Sequence, residues 1–492
     1  MNILLVYPEF LDALWSFKHA LKFINKRANT PPLCLLTVAA MLPVEWTKRL
    51  VDLNVMKLTE EDLFWADYVF ISAMAVQRKS VQQTLKRCKE AGVKVVAGGP
   101  LFINEYEQFE GVDHFVLNEA ELTLPYFLDD LGRGCAKRIY KTSEFADIKK
   151  TPIPLWELTD LRHYASMSIQ FSRGCPFHCE FCNVTTLFGN RPRIKTVEQI
   201  LAELNSLYNI GWRGSVFFVD DNLIGNKRYI KTELLPALIE WKKNKIGTTF
   251  YTEASINLAD DEELMQLMVK AGFDMVFIGI ETPDEKSLDE CGKKQNKNRD
   301  LLKDVKRIQQ AGLQVQGGFI IGFDNDTPSI FKRQIDFIQK SGIVMANVAI
   351  LQAPTGSKLH ERLKREGRLL GQMGFQVVDS VTNFIPNMDL DTLQEGYKEI
   401  MRYIYSPRHY YHRIKTLFLE YKPLKIDIPK SIKNTLSLLR SIYYLGIIGK
   451  ERFHYWKLLL WTSIHRPELI PLAIRLSIYG HHYRKIVEMN LH

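Results

Sequence analysis

The stretch 171-FSRGCPFHCEFCNVTTLFGNRPR-193 decides the reading, because it gathers Cys175, Cys179 and Cys182 in a chain of 492 residues that holds seven cysteines. The opening MNILLVYPEF has no basic leader and no small-residue cleavage pattern, so a cytoplasmic, reducing setting is expected. There, clustered thiols bind metal more often than they pair, and an odd total weakens pairing further. Three thiolates fall one short of a closed tetrahedral zinc site, with His178 the loop side chain available as a fourth ligand. A four-iron cluster on three cysteines would instead leave one iron open to an exogenous ligand.

Outward from the loop, the chain alternates β-branched runs with amphipathic ones. Before it come NILLVYP, RLVDL, DYVFISA, VKVVAGGP and VDHFVL, separated by helical stretches such as VQQTLKRCKEAG. Five strands alternating with helices predict a doubly wound parallel sheet over 1–140, with Asp52, Ser72 and the Gly98-Gly99 pair at strand carboxyl ends, where such sheets bind ligands. The same residues also serve as plain turns, and no GxGxxG is present. A linker at 141–165 carries Pro152 and Pro154, which disfavour helix and central strand. From 166 to 379 six further strand–helix units predict a partial parallel β/α barrel. Its carboxyl-terminal strand ends carry the cysteine loop, then Asp220, Asp221 and Asn222, then Glu253 and Ser255, Glu281, and Gly322.

From about 380 to the end the pattern is helical and rich in Tyr, Leu, Ile, Arg and His. Residues 401–492 hold 16 Lys and Arg against 5 Asp and Glu, while the whole chain carries +9, so the basic excess is local to the tail. No window reaches the 18 uninterrupted apolar residues of a membrane span. A basic, aromatic-rich amphipathic region fits either a peripheral place on an anionic membrane surface or a helical cap with a solvated face. Tyr405, His409, Tyr410, Tyr411 and His412 read as packing between barrel and cap rather than as catalytic groups. Of the scattered cysteines, Cys34 and Cys88 read as small buried or idle thiols.

The spacing Cys-x3-Cys-x2-Cys, with Phe181 before the last cysteine, resembles the signature of the radical S-adenosylmethionine superfamily. That resemblance implies a [4Fe-4S] cluster on Cys175, Cys179 and Cys182, whose open iron binds S-adenosylmethionine. It also implies that Asp220, Asp221 and Asn222 hold the methionyl amino end, that Glu253 and Glu281 hold methionyl or ribose groups near Ser255, and that the FIIGF turn at Gly322 holds adenine. The preceding sheet resembles the cobalamin-binding class, in which Asp52, Ser72, Gly98 and Gly99 would flank the cofactor. In DLNVMK, Asn54 stands where that class often supplies a cobalt-binding histidine, so no imidazole ligand comes from this motif. FVDDNLIGNK, FIGIETP, LQAPTGSKL, IYSPRHYYHR and the basic tail resemble the branch containing the hopanoid C-2 methylases.

The resemblance implies a methyltransferase that carries a methyl group on cobalamin to an unactivated carbon of a hydrophobic, hopanoid-like lipid. An electron donor such as flavodoxin or ferredoxin and a membrane surface are the expected partners, with no role for nucleic acid. Two other functions use the same parts. One is lipid or tetrapyrrole cyclisation or carbon–carbon bond formation without methyl transfer; the other is a non-enzymatic cobalamin and cluster sensor at a membrane. No cysteine follows Cys291 in this sequence, so a C-terminal auxiliary-cluster domain of the peptide-modifying type is not expected.

Overall fold

The computed structural model describes residues 1–370, 381–423 and 432–490, with the backbone alone at 432–435 and 490. The first sheet is parallel throughout: β1 (Asn2–Tyr7), β2 (Thr47–Asp52), β3 (Tyr68–Ser72), β4 (Lys94–Gly98), β5 (His114–Val116) and β6 (Ile139–Tyr140), in the order β2-β1-β3-β4-β5-β6. The sequence predicts five of these strands. The sixth has two residues, too few to show an alternation. Both faces of the sheet are covered by helices, which is why β1 and β3 read as unbroken apolar runs rather than alternating ones.

The second sheet is also parallel, in the order β14-β13-β12-β11-β10-β7. Its strands are β7 (Met167–Ile169), β10 (Ser215–Phe218), β11 (Thr249–Ala254), β12 (Phe273–Glu281), β13 (Gln314–Ile321) and β14 (Ala346–Ile350). Sequential neighbours with helices between them make the predicted open six-strand barrel, since β7 and β14 are not paired. A short antiparallel pair, β8 (Ser172–Arg173) and β9 (Arg193–Ile194), brackets the cysteine loop. The helices between the barrel strands start at side-chain caps, among them Thr196, Asp261 and Asp300, each accepting from a backbone amide of the first turn.

Alternation along the barrel strands separates two environments. Val216, Phe218, Phe250, Val276, Ile278, Phe319 and Val348 face outward and are fully buried against helices. Their inward neighbours Phe217, Tyr251, Glu253, Phe277, Gly318 and Asn347 are only partly buried. The lumen is therefore hollow, unlike the packed centre of a closed eight-strand barrel. Phe217 and Tyr251 stack across its wall at 4.6 Å.

The stretch 141–165 does not behave as a loose linker. Trp156 is fully buried, and Tyr164 donates to Asp52 at the carboxyl end of β2 at 3.0 Å. The expected boundary at 379–380 lies outside the described residues. Beyond it come helices at Leu390–Tyr405, Pro407–Glu420, Ile432–Ser441, Arg452–His465 and Ile470–Asn490, of which all but Ile432–Ser441 contribute residues to the barrel's hydrophobic core. Tyr405, Tyr410 and Tyr411 are buried in it with Tyr483, so that aromatic cluster is packing, as expected, with His412 left exposed. Among the described residues no helix is long and apolar enough to cross a membrane.

Arg413 fastens this helical region to the barrel. Fully buried, it donates to Gln339 Oε1 at 2.5 Å, to the Ile404 carbonyl at 2.8 Å and to the Val344 carbonyl, just ahead of β14, at 3.1 Å. Arg413→Ala removes the donors and leaves buried acceptors unpaired. The expected loss is about 3 kcal/mol, read from urea unfolding of the full chain.

Candidate active site

The cysteine loop leaves β8 at Gly174, whose φ of +95° is open to glycine and whose added Cβ would meet the Gly189, Phe188 and Arg191 carbonyls at 2.9 to 3.1 Å. The three thiols that follow are partly buried and unpaired. The loop tightens on itself through Cys182 N–H to the Cys179 carbonyl at 3.1 Å, and Glu180 N–H donates to the Cys291 carbonyl at 2.8 Å. Burial pushes the Cys175 thiol up, and pushes Cys182 up to about 12. His178 is exposed. Among the described residues, no three His, Cys, Asp or Glu side chains converge on a point that would hold a single metal ion. Three cysteines on one loop would supply the protein ligands of a four-iron cluster and leave one iron open.

Ion pairs hold the loop at both ends. At its base, Arg173 donates to Glu119 at 2.8 Å and to Glu121 at 2.7 Å, while Arg193 donates to both Glu119 oxygens at 2.9 Å. Both glutamates belong to the turn and helix after β5, so the first sheet directly grips the loop. Burial disfavours the Glu121 charge, but Arg173 outweighs it and holds the carboxyl at about 2. At the tip, Arg362 from the helix Lys358–Arg365 donates to Glu180 at 2.8 Å and to Asp324 at 2.8 Å.

The residues singled out in the sequence divide into those that brace the loop and those that face the barrel mouth. Asp220 accepts from Phe171 N–H at 3.2 Å and from Ser172 N–H, and Asp221 accepts from Gly174 N–H at 2.9 Å. Asn222 pairs with Ser255, its amide donating to the hydroxyl at 3.2 Å and its carbonyl accepting from Ser255 N–H at 3.2 Å. A cavity of about 430 Å³ opens there, between Pro176 and Phe177 of the loop and Asn222, Ser255 and Asn257. Burial raises Asp220 to about 7 and Glu253 also to about 7, with Asp221 and Asp220 adding to the shift of Glu253. Carboxylates crowded in this way form a site that a cation would relieve.

Glu281 ends β12 at a bulge with φ +64°, an unfavourable conformation for a glutamate. Its carboxylate meets Lys293 Nζ at 2.5 Å, and the same ammonium lies 5.8 Å from the Phe181 ring. Gly279 makes room, since a Cβ there would strike both Glu281 and Lys293. Burial works against the Lys293 charge, but Glu281 and then Cys179 raise its pKa above the ordinary lysine range. Phe181 packs with Phe323 and Cys291, and Gly322 turns the chain at φ +94° with its N–H on Asp326 at 2.8 Å.

At the first sheet, Asp52 is fully engaged: it accepts from Asn54 N–H at 2.9 Å, from the Asn54 amide at 2.7 Å and from Tyr164. Asn54 also accepts from Phe10 N–H at 2.9 Å, so it stitches the β1 and β2 loops together. Gly99 lies against Ser72, where a Cβ would stand 2.7 Å from the hydroxyl, and Gly98 against the Val116 carbonyl. These small residues thus serve strand packing while leaving a smooth surface at the sheet's end. Cys34, read as a small buried or idle thiol, is exposed and lies beside the Ser72 hydroxyl. It stands in the first turn of the helix Leu33–Met41, where protein atoms around it push its pKa up. Sequence reading missed Lys293, Arg362 and the Glu119 and Glu121 pair. The complementary charges are visible in NEAELT and SRG, but their pairing depends on topology.

Comparison with known proteins agrees with this geometry. The model of the Radical SAM superfamily matches residues 169–338, and a domain of unknown function matches 357–491. The chain is 34% identical to the hopanoid C-2 methylase of Rhodopseudomonas palustris over 98% of this chain and 92% of that protein. The chain belongs to the cobalamin-binding radical S-adenosylmethionine enzymes, in the branch of the hopanoid C-2 methylase. It is also 40% identical to an uncharacterized methyltransferase of Synechocystis, over 100% of this chain and 93% of the relative. In fold it is similar to the radical S-adenosylmethionine methyltransferase TsrM from Kitasatospora setae with cobalamin and a [4Fe-4S] cluster bound. The TM-score is 0.61 at 12% identity, with both chains fully covered. The radical enzyme's loop is expected to depend on its base: Glu119→Ala leaves Arg193 without a carboxylate partner and Arg173 with Glu121 alone. We expect a loss of about 3–5 kcal/mol in urea unfolding and less iron retained per chain after anaerobic reconstitution.

Proposed function

We propose that this radical enzyme methylates an unactivated carbon of a hydrophobic, hopanoid-like lipid. The observation that carries the acceptor class is the 34% identity, over nearly the whole chain, to a hopanoid C-2 methylase. The hollow lumen agrees with it, because its wall presents the rings of Phe217, Tyr251 and Phe277 and the low Gly318 to whatever enters. The enzyme's cofactors are a [4Fe-4S] cluster, S-adenosylmethionine and cobalamin. When bound, the cluster supplies the electron that splits S-adenosylmethionine, and cobalamin supplies the methyl group.

The chain's own residues have separable tasks in this reading. Cys175, Cys179 and Cys182 hold the cluster, and Phe181 with Cys291 and Phe323 shields it on an apolar side. Lys293 brings a buried positive charge to the thiolates, with Glu281 fixing its position. Glu253 and Asp221 offer negative charge to the sulfonium and ammonium of S-adenosylmethionine, and the Asn222 and Ser255 pair lines the adjoining cavity. Asp220 is a positioning residue that fixes the chain ahead of the loop. Gly322 shapes the last strand end beside it. Ser72, Gly98 and Gly99 shape the sheet end for cobalamin, with Asp52 and Asn54 bracing the loops around it. A flavodoxin- or ferredoxin-like protein supplies electrons from outside, and the enzyme works at a membrane surface.

Mass spectrometry of lipids from a host expressing the protein tests the acceptor: a hopanoid gaining one methyl group is the expected product, and its absence with active cofactor turnover rejects this class. Cys175→Ala, Cys179→Ala or Cys182→Ala is expected to abolish both the product and the visible absorbance of the reconstituted cluster. Deoxyadenosine without S-adenosylhomocysteine would point instead to radical chemistry lacking methyl transfer.

Glu253 gives the site a pH dependence whose sign follows from burial. Its carboxyl titrates near about 7, and only the ionised form attracts a cation, so binding is full above that value and is lost as pH falls through it. Below about pH 7, affinity for S-adenosylmethionine is expected to drop about tenfold per unit in equilibrium dialysis with the reconstituted enzyme. Glu253→Gln should bind more weakly at alkaline pH and flatten the profile.

A further inference from the structure

The C-terminal helices turn toward solvent an apolar face that no described residue covers. Leu436, Leu439, Tyr443 and Ile447 stand three, four and four positions apart on one helical run, and Phe453, Trp456, Leu460 and Ile464 repeat that spacing on the next. On a helix this spacing makes a single stripe. Phe453 is 74% exposed, Ile464 68% and Leu460 64%. The inward residues Leu445, Tyr455 and Leu458 are fully buried, so the core is already satisfied and the outer stripe is surplus to folding.

Charge on these two runs is predominantly positive, with Glu488 of the helix Ile470–Asn490 reaching Lys450 at 3.6 Å. Residues 432–465 carry five Lys and Arg and a single acid, Glu451, which is buried and bound to Arg484. Lys450, Arg452 and Lys457 stand exposed at the rim, with the Arg452 guanidinium 4.9 Å from the Phe453 ring. Trp456 is held with its indole N–H on the Gly446 carbonyl at 2.9 Å. Apolar side chains ringed by aromatics and cations, with no span long enough to cross, match the boundary between lipid headgroups and acyl chains.

The same helical run also adjoins the stretch that follows β1. Tyr444 packs edge-on against Phe23 at 5.6 Å, and Arg440 donates to the Phe23 carbonyl at 3.2 Å. Phe23 lies on the stretch that leaves β1, where Tyr7, Phe10 and Trp15 form a chain of edge contacts at 5.6 and 5.0 Å back to the sheet's carboxyl end.

We propose that this face docks the enzyme on an anionic bilayer, with Ile447, Phe453, Leu460 and Ile464 at the acyl boundary and Lys450, Arg452 and Lys457 on anionic headgroups. The docking stands on the exposed face itself; that the acceptor enters from the same bilayer rests on the lipid-methylation reading. The test is sedimentation of the full-length reconstituted enzyme with phosphatidylcholine vesicles, with and without phosphatidylglycerol. The enzyme is expected to sediment with the anionic vesicles, and the combined Phe453→Ser, Leu460→Ser and Ile464→Ser variant to bind them more than about tenfold less. Lys450→Glu with Lys457→Glu should abolish the preference for phosphatidylglycerol. Unchanged cleavage of S-adenosylmethionine without acceptor would show that these surface variants fold. Vesicle binding by the serine variant equal to that of the unmodified enzyme overturns the proposal. So does an unmodified enzyme that ignores both vesicles, including one whose face pairs with a second copy as a dimer in sedimentation velocity. Failure of the acceptor reading appears separately, as vesicle-bound enzyme that methylates no lipid.

Discussion

The buried contact among Arg173, Arg193, Glu119 and Glu121 fixes the relation on which the rest of the molecule depends. Radical chemistry between two cofactors requires their reactive atoms to be held at one distance, and here the two carrier folds are separate sheets. The loop that would hold one cofactor is gripped by side chains from the sheet that would carry the other. Such a pair gives little net stability over apolar packing, because taking four charges from water consumes most of the Coulomb gain. Its value lies in geometry. One bidentate contact, Arg173 on Glu121, and one Arg193 nitrogen shared by both Glu119 oxygens, with Thr151 donating to Glu121 and Ala146 N–H to Glu119, leave few ways to shift one sheet against the other without losing these bonds.

The tip of the loop is tied in a complementary way. Arg362 joins Glu180 to Asp324, and Leu359 N–H donates to the Glu180 carbonyl at 2.9 Å, so the segment after β14 holds the far end of the same loop. That segment also reaches the first sheet's loops, through Asn104 to the Thr355 carbonyl at 3.1 Å. Base and tip are thus fixed by different parts of the chain. The thiols between them remain partly open, which a site that must admit a small cofactor requires.

Much of this was legible in the sequence, for identifiable reasons. The barrel strands announce themselves because each alternates between a helix-covered face and a lumen, and VFF, TFYTEA and QVQGGFII keep that period. The cysteine loop was readable because three thiols at that spacing have few uses. Ion pairs between distant segments were not readable, since Glu119 and Arg173 are joined by folding rather than by period or motif. Strand-end acids misled in part for the same reason: Asp220 has the expected place, but its oxygens are spent on Phe171 and Ser172 amides.

The distribution of exposed apolar surface extends the argument from site to setting. Most of the chain's fully buried aromatics lie where helices cover the barrel or each other, and the lumen keeps its rings partly open for a guest. The outer stripes at 436–447 and 453–464 serve neither purpose. An enzyme acting on a water-soluble acceptor would gain solubility by replacing them with polar residues at no cost to the core, because Leu445, Tyr455 and Leu458 already fill the inner side. The run at 436–447 stands beside Phe23, on the stretch that follows β1, so the proposed docking would bring that stretch to the bilayer as well.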